Sequence, residues 1–188
     1  MDPKDLGHIR NITNSGRIGS GATTLATHLG GNLGWEVLDG GKIFRSITND
    51  HGFAKDRSDS FDIEYEEKIK KLLVEQKHRI IQSHLAGFDA QGIEGVFKVF
   101  VVCEDEEGND KADVRIDRLV NRDGMAVEEA KFELKERDKQ NLTKWRRLYA
   151  NNNPEWVYWD KKYYDLIINT FQLNQHDALA LVLKTLGI

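Results

Sequence analysis

The stretch IRNITNSGRIGSGATTLATH, residues Ile9 to His28, decides the fold. A short strand fits Ile9 to Asn14. A glycine-rich turn follows, and then a helix from about Thr23 to His28 or slightly beyond. Between strand and helix, Gly16-Arg17-Ile18-Gly19-Ser20-Gly21-Ala22-Thr23-Thr24 matches the phosphate-loop pattern G-x-x-x-x-G-K-[ST] at every fixed position except the lysine. Glycines let successive backbone N–H groups turn inward. The helix N-terminus adds its positive end to that cradle. Thr23 places a hydroxyl where Mg²⁺ is held in such loops, and Ala22 stands where a lysine would reach the terminal phosphates. Gly16, Gly19, Ser20, Gly21, Ala22, Thr23 and Thr24 are therefore the candidate phosphate-binding residues. A purely structural turn is the plainer alternative.

Outward from this segment, strands and helices alternate. Trp35 to Leu38 reads as a second strand and Lys42 to Ile47 as the start of a helix. Phe53 to Ser60 is polar and turn-like. From Asp62 to Gln76, Tyr65, Ile69, Leu72 and Leu73 recur at helical spacing, with Glu and Lys on the other face. Arg79 to His84 can form a strand. Phe97 to Cys103 is the strongest strand, rich in Val and Phe as in a parallel sheet covered on both faces. Tyr164 to Asn169 is the last. Asn174 can cap a final helix, with Asp177 three positions on, burying Leu179, Val182, Leu183 and Leu186. Such alternation implies a parallel α/β sheet with right-handed crossovers.

One region breaks the alternation. Glu104 to Asp110 is an acidic loop, and a long charged helical stretch runs from about Asp113 to Tyr149 with Gly124 as its one glycine. On charge pattern alone a solvated helical hairpin is the simpler reading. The functional one is an arginine-bearing lid.

Composition narrows the rest. At 188 residues a single domain over 1–188 is expected, with enough chain to bury a core. No apolar run reaches the ~20 residues of a membrane span, and Met1 to Asp5 lacks a signal-peptide core. A single cysteine, Cys103, excludes an internal disulfide framework and suits an inert buried thiol in a reducing cytoplasm. The net charge of −4 gives no general case for a nucleic-acid polymer, and a monomer is the simpler expectation. The histidines show no H-x-x-x-H or H-E-x-x-H pair. Trp145, Trp156, Trp159, Tyr158, Tyr163 and Tyr164 suit core packing or a partner interface better than base stacking.

The run ITNSGRIGSGATTLATHLGGNLGWEVLDGGKIFRSI resembles the opening of the cytidylate kinases, particularly their short archaeal-type form. Gly41-Lys42-Ile43-Phe44-Arg45 resembles the family's G-x-[IL]-[FY]-R element, whose arginine grips the acceptor phosphate; a guanidinium fork suits that task. Ser83-His84-Leu85-Ala86-Gly87-Phe88 resembles G-R-L-A-G-[WF], with His84 in place of another phosphate-binding arginine. Arg115, Arg118 and Arg122-Asp123-Gly124 resemble the lid pattern R-x-x-R-x-x-x-R-[DE]-G, continued by Glu129-Ala130 and Arg137-Asp138. Asn141 follows Arg137 by one turn, and Lys144-Trp145 stands where the family has arginine and an aromatic residue. Tyr164 to Thr170 resembles the closing strand.

The resemblance implies a P-loop α/β/α fold with an acceptor-binding region and an arginine-rich lid over about 113–149. It also implies transfer of the ATP γ-phosphoryl group to CMP or dCMP with Mg²⁺. By position it makes Arg45, His84, Asn141 and Lys144 acceptor-binding, Arg115, Arg118, Arg122 and Arg137 catalytic, and Thr23 the metal-binding hydroxyl. Three positions depart from it: Ala22 for lysine, His84 for arginine and Lys144 for arginine. A similar loop without lysine occurs in cytidylate-kinase-like proteins. A nucleotide-binding protein with impaired catalysis, and a kinase for another small acceptor, remain the alternatives.

Overall fold

The computed structural model describes residues 2–41 and 57–188. Five strands form one all-parallel sheet: β1 (Asn11–Gly16), β2 (Glu36–Asp39), β3 (Arg79–Gln82), β4 (Val96–Val102) and β5 (Leu166–Asn169), in the order β2-β3-β1-β4-β5. Helices cover both faces. This is the three-layer α/β/α arrangement with a parallel sheet that the alternation predicts.

Strand β1 is central and wholly buried, yet it reads NITNSG. Asn11, Asn14 and Ser15 bind neighbouring backbone, while Thr13 Oγ1 and Asn14 Oδ1 have no partner among the described residues. Asn11 donates to the Leu73 and Gln76 carbonyls and accepts from the Arg79 N–H. Asn14 donates to the Ala22 carbonyl at 2.5 Å, and Ser15 accepts from the Gly87 N–H at 3.0 Å. Buried polar groups paired in this way incur little of the desolvation cost. They also fix the elements that flank the sheet.

Helix α1 (Ala22–Leu33) buries Ala22, Leu25, Ala26, Leu29 and Leu33 against Ile12, Ile80, Val99 and Ile168. Helix α2 (Asp59–Glu75) starts at a Ser58 cap that accepts from the Phe61 N–H. It packs Ile69 and Leu73 on Ile81 and Val96 on the opposite face of the sheet. A short α3 (Ala86–Asp89) follows β3. Helices α4 (Ala112–Asp123) and α5 (Val127–Tyr149) form the charged hairpin, separated at Gly124, whose φ of 67° caps α4. The last helix, α6 (Gln175–Thr185), is capped by Asn174, which accepts from the His176 and Asp177 N–H groups. Its Val182 is fully buried, while Leu179, Leu183 and Leu186 lie at the core's margin.

The differences from expectation are local. β1 begins two residues later than Ile9 and runs on to Gly16, and α1 continues to Leu33. Asp59 and Ser60 belong to α2 rather than to a turn, because Ser58 supplies the cap. Short α3 carried no periodicity to read. The expected helix start at Lys42 to Ile47, and the turn from Phe53, lie outside the described residues. The aromatic segment is core: Trp145, Trp156, Tyr158 and Tyr164 pack with Leu85 and Phe100. Among the described residues, no helix is long and apolar enough to cross a membrane.

Candidate phosphate site and its surroundings

The loop from Gly16 to Thr23 sits at the C-terminal end of β1, the end where parallel α/β sheets bind ligands. Two of its residues need left-handed backbone: Gly19 with φ 75° and Gly21 with φ 95°. Gly19 is required twice over, since a Cβ there would lie 2.7 Å from the Arg115 carbonyl oxygen. At Gly16 a Cβ would collide with the Ser20 hydroxyl, and would stand 3.0 Å from the Ala22 Cβ. The loop is thus closely wound, with Ser20 and Ala22 buried inside it. Ser20 Oγ has no partner among the described residues. Gly21 is the N-cap of α1 and lends it no side-chain acceptor, so the first-turn N–H groups of α1 stay open at the loop. Thr23 and Thr24 are exposed there.

The loop is clamped from behind. Arg115, fully buried, donates to the Ile18 carbonyl at 2.6 Å and to Asp110 at 2.7 Å. Arg118 donates to the Gly19 and Ser20 carbonyls at 3.3 and 3.2 Å, and to Thr170 through both its hydroxyl and its carbonyl. The Thr170 hydroxyl in turn donates to the Ser20 carbonyl at 2.7 Å. Arg17 leaves the loop sideways: it lies 4.7 Å over Trp159 and pairs with Asp138 at 2.8 Å and Asp110 at 3.2 Å. Burial pulls the Arg17 guanidinium down, but those two carboxylates more than offset it and hold it above its ordinary value.

The remaining lid residues differ in environment. Arg122 is exposed and forks onto its neighbour Asp123. Arg137 bonds Glu133, while its Nε is buried with no partner among the described residues. Its charge reaches His84. The His84 ring contacts Trp145 and Tyr158, and Nδ1 lies 2.8 Å from the Gly16 carbonyl, a geometry in which Nδ1–H donates. Burial, then the Arg137 charge, lowers its pKa, so the imidazole is neutral in the physiological range.

A second polar group joins α2 to α5. Lys144 donates to the Arg57 carbonyl at 2.7 Å and pairs with Asp62 at 2.7 Å, while Arg57 Nε pairs with Asp62 at 2.8 Å. Asn141 accepts from Arg57 at 3.3 Å. All four side chains are largely buried. The structure thus brings Asn141 and Lys144 together on one seam, places His84 and Arg137 beside the start of the loop, and puts Arg115 and Arg118 on its back. Arg45 lies outside the described residues. A cleft of about 430 Å³ opens between α1 and the ends of β2 and β3, lined by Thr23, Thr27, Leu38, Asp39 and Gln82 among others.

Sequence reading missed Arg57 and the network Arg17–Asp110–Asp138. No motif surrounds Arg57. The acidic loop was visible, but not that its last residue turns inward. A signal for buried acids did exist in α2. Asp62 and Glu66 precede Ile69 and Leu73 at spacings of 4, 3 and 4, so all four share one buried face.

No family model matches the chain. It is 31% identical over 178 residues to a cytidylate kinase of Natronomonas pharaonis, covering 91% of this chain and 86% of that one. It is 30% identical over 179 residues to a cytidylate kinase of Haloarcula marismortui, covering 92% and 86%. Among solved structures, shikimate kinase from Bacteroides thetaiotaomicron superposes with a TM-score of 0.61 at 14% identity, covering 97% of this chain and all of that one. At that identity the likeness concerns the fold alone.

Proposed function

The chain belongs to the cytidylate kinase family, and from that premise we propose that it transfers the ATP γ-phosphoryl group to CMP or dCMP. The observation that carries this reading is the closely wound loop at the end of β1, open to the cleft through backbone N–H groups and braced on its back by Arg115 and Arg118. Phosphoryl transfer asks for positioning and charge neutralisation more than covalent chemistry. The N–H groups from Gly19 to Thr23 hold the donor phosphates. Arg137, with an unpartnered Nε beside the start of the loop, is the lid cation best placed to meet developing charge. Arg122 is solvent-facing and reaches the nucleotide only when the hairpin over about 113–149 moves as a lid. Arg115 and Arg118 act through the loop they brace.

Arg45 and Lys144 bind the acceptor phosphate side, and Asn141 orders the seam next to it. His84, neutral and donating to Gly16, shapes the loop rather than supplying a positive charge. The residues fit Mg²⁺ as a nucleotide-borne ion. Thr23 offers an exposed hydroxyl at the α1 N-terminus, with Asp39 across the same cleft, and Mg²⁺ in such sites keeps waters and phosphate oxygens as its main ligands. Bound there, the ion supplies charge neutralisation between the phosphates. Acceptor phosphate oxygens are already anionic, so no general base is needed.

A second reading is favoured by one specific feature: Ala22 leaves the loop without its lysine, and Arg17 is committed to two carboxylates. It is a protein that binds nucleotide and turns over slowly or not at all. An ADP-release assay against CMP, dCMP, UMP, AMP and non-nucleotide alcohols separates the readings. Turnover with CMP and dCMP is expected. ATP binding without ADP release for any acceptor selects the second reading, and turnover only with a non-nucleotide acceptor overturns the assignment to monophosphates.

A further inference from the structure

Two peptides of the phosphate loop precede glycines with positive φ: Ile18–Gly19 and Ser20–Gly21. Such peptides turn over easily, because glycine adopts either sign of φ at little cost. In a trans peptide the C=O and the N–H point in opposite directions. The direction of each carbonyl therefore decides whether the following N–H faces a phosphate or faces away. A flipped peptide presents a carbonyl oxygen to the nucleotide instead. With Ala22 in place of a lysine, the loop relies on those N–H groups, so whatever holds the carbonyls back controls how the loop meets an anion.

The two carbonyls are held from behind by different groups. The Ile18 carbonyl accepts from Arg115 at 2.6 Å. The Ser20 carbonyl accepts from the Thr170 hydroxyl at 2.7 Å and from Arg118 Nη1 at 3.2 Å. Arg118 is itself seated on Thr170, with Nη1 2.9 Å from Oγ1 and Nη2 2.8 Å from the carbonyl oxygen. Thr170 Oγ1 also lies 3.1 Å from the Val102 carbonyl. A hydroxyl has one proton to give, and the Val102 carbonyl already accepts the Thr170 N–H at 2.9 Å, so the shorter contact to Ser20 takes it. Both donors on the Ser20 carbonyl thus depend on Thr170, a residue just beyond β5 and 150 positions away in sequence.

We propose that Thr170 is a positioning residue for the donor nucleotide. Its hydroxyl, directly and through Arg118, fixes the Ser20–Gly21 peptide with the Gly21 N–H turned toward the phosphates. It acts through the loop and touches no reacting atom. The task needs a hydroxyl, which donates to Ser20 and accepts from Arg118 with one oxygen. A valine has the same branched shape and can do neither. Because Thr170 works on the donor loop, donor affinity and acceptor affinity part when the hydroxyl is removed. This deepens the kinase reading and rests on it.

The test is calorimetric binding of ATP and of CMP to wild type, Thr170→Val and Thr170→Ser, with a urea midpoint for each protein. Thr170→Val should weaken ATP binding roughly tenfold or more, the order of one hydrogen bond to a charged group, and leave CMP binding close to wild type. Thr170→Ser restores the hydroxyl and should bring ATP affinity back, even where its midpoint stays as low as that of Thr170→Val. A merely structural threonine predicts that ATP and CMP weaken together, or that ATP affinity tracks the midpoint in both variants. A second measurement needs no variant, so the proposal stays exposed even where Thr170→Val does not fold. In wild type, ATP should move the Gly21 amide proton downfield by NMR, as an N–H donating to phosphate does, while the Ser20 carbonyl carbon keeps its position. A Gly21 amide that ignores saturating ATP, unchanged ATP affinity in folded Thr170→Val, or a Thr170→Ser as weak as Thr170→Val overturns the positioning role and leaves the kinase reading standing. Absence of ATP binding to wild type overturns both.

Discussion

The loop at the end of β1 offers backbone N–H groups, whereas the α2–α5 seam holds paired ions. The donor loop has Ala22 where a cation would stand, and its nearest arginines turn onto its carbonyls: Arg115 to Ile18, Arg118 to Gly19 and Ser20. The seam instead buries Lys144 and Arg57 around Asp62. The first region uses its cations to hold the loop's shape, and the second keeps its cations buried around one carboxylate. Binding of a donor triphosphate then rests on N–H dipoles and the α1 N-terminus. Any mobile charge for the transferring group must come from outside the loop.

The largest effect is expected at the brace. Arg115→Ala empties a fully buried side-chain site and frees the Ile18 carbonyl, while Asp110, itself exposed, keeps Arg17. Leaving a buried acceptor unsatisfied typically costs about 1–3 kcal/mol, before the void is counted. Urea unfolding should show that loss, together with weaker ATP binding. Arg122→Ala, at an exposed pair between neighbours in sequence, should stay within about 0.5 kcal/mol of wild type. If Arg115→Ala unfolds like wild type and loses only kcat, Arg115 touches the reacting phosphates and the division between brace and lid is wrong.

Restoring the missing charge comes next. Ala22→Lys places an ammonium in a loop whose backbone is already formed. An electrostatic contact of this kind is worth a few kcal/mol in the transition state, roughly 10²–10³ in rate. The expected outcome is a gain in kcat at saturating ATP and CMP, with a smaller change in ATP affinity. An equal and fast wild type means that another cation already does the work, and Arg137 is the candidate. Arg137→Ala should then lower kcat by roughly 10²-fold or more with little change in unfolding midpoint, because among the described residues its ion pair, to Glu133, lies within α5. No change in kcat would remove Arg137 from the reaction.

Much of this contrast was legible in the sequence, and the rest was not for identifiable reasons. The loop, its helix and the five strands follow from glycine placement and hydrophobic alternation, both local properties. The charged stretch after residue 112 showed its arginines but not their direction. Arg115, Arg118 and Arg122 lie within two turns of one helix, yet one is fully buried, one clamps the loop and one faces solvent. Helical phase relative to β1 decides this, and phase is set by packing of Leu119, Ala130 and Leu134 with Ile18 rather than by any motif. Pairs far apart in sequence, such as Arg17 with Asp138 or Arg57 with Asn141, leave no local trace. His84 lay in a recognisable element, but only its contact with Gly16 shows that it serves the loop.

The smallest effect tests that contact. The native His84 pKa is lowered, first by burial and then by the Arg137 charge, with Arg57 also lowering it and Asp138 and the Gly16 carbonyl opposing. In the unfolded chain the imidazole titrates near an ordinary value of about 6.5. As pH falls below that, the unfolded state takes up a proton that the native state does not. His84 therefore contributes a loss of stability that starts near pH 6.5 and grows until the native ring itself protonates; above that pH its contribution is constant. His84→Asn keeps an N–H donor close to the Nδ1 position but does not titrate. It should be less stable than wild type at pH 8, where the ring's packing is intact. The gap should narrow steadily as pH is lowered from 7 to 5.5. Glu66 and Asp89 titrate in both proteins and cancel in the difference. A constant gap, measured by urea midpoints, means the native ring titrates as it does in the unfolded chain, and a gap that widens as pH falls means the native ring holds its proton more tightly than the unfolded chain does. In the second case His84 would belong with the acceptor-side cations and not with the brace.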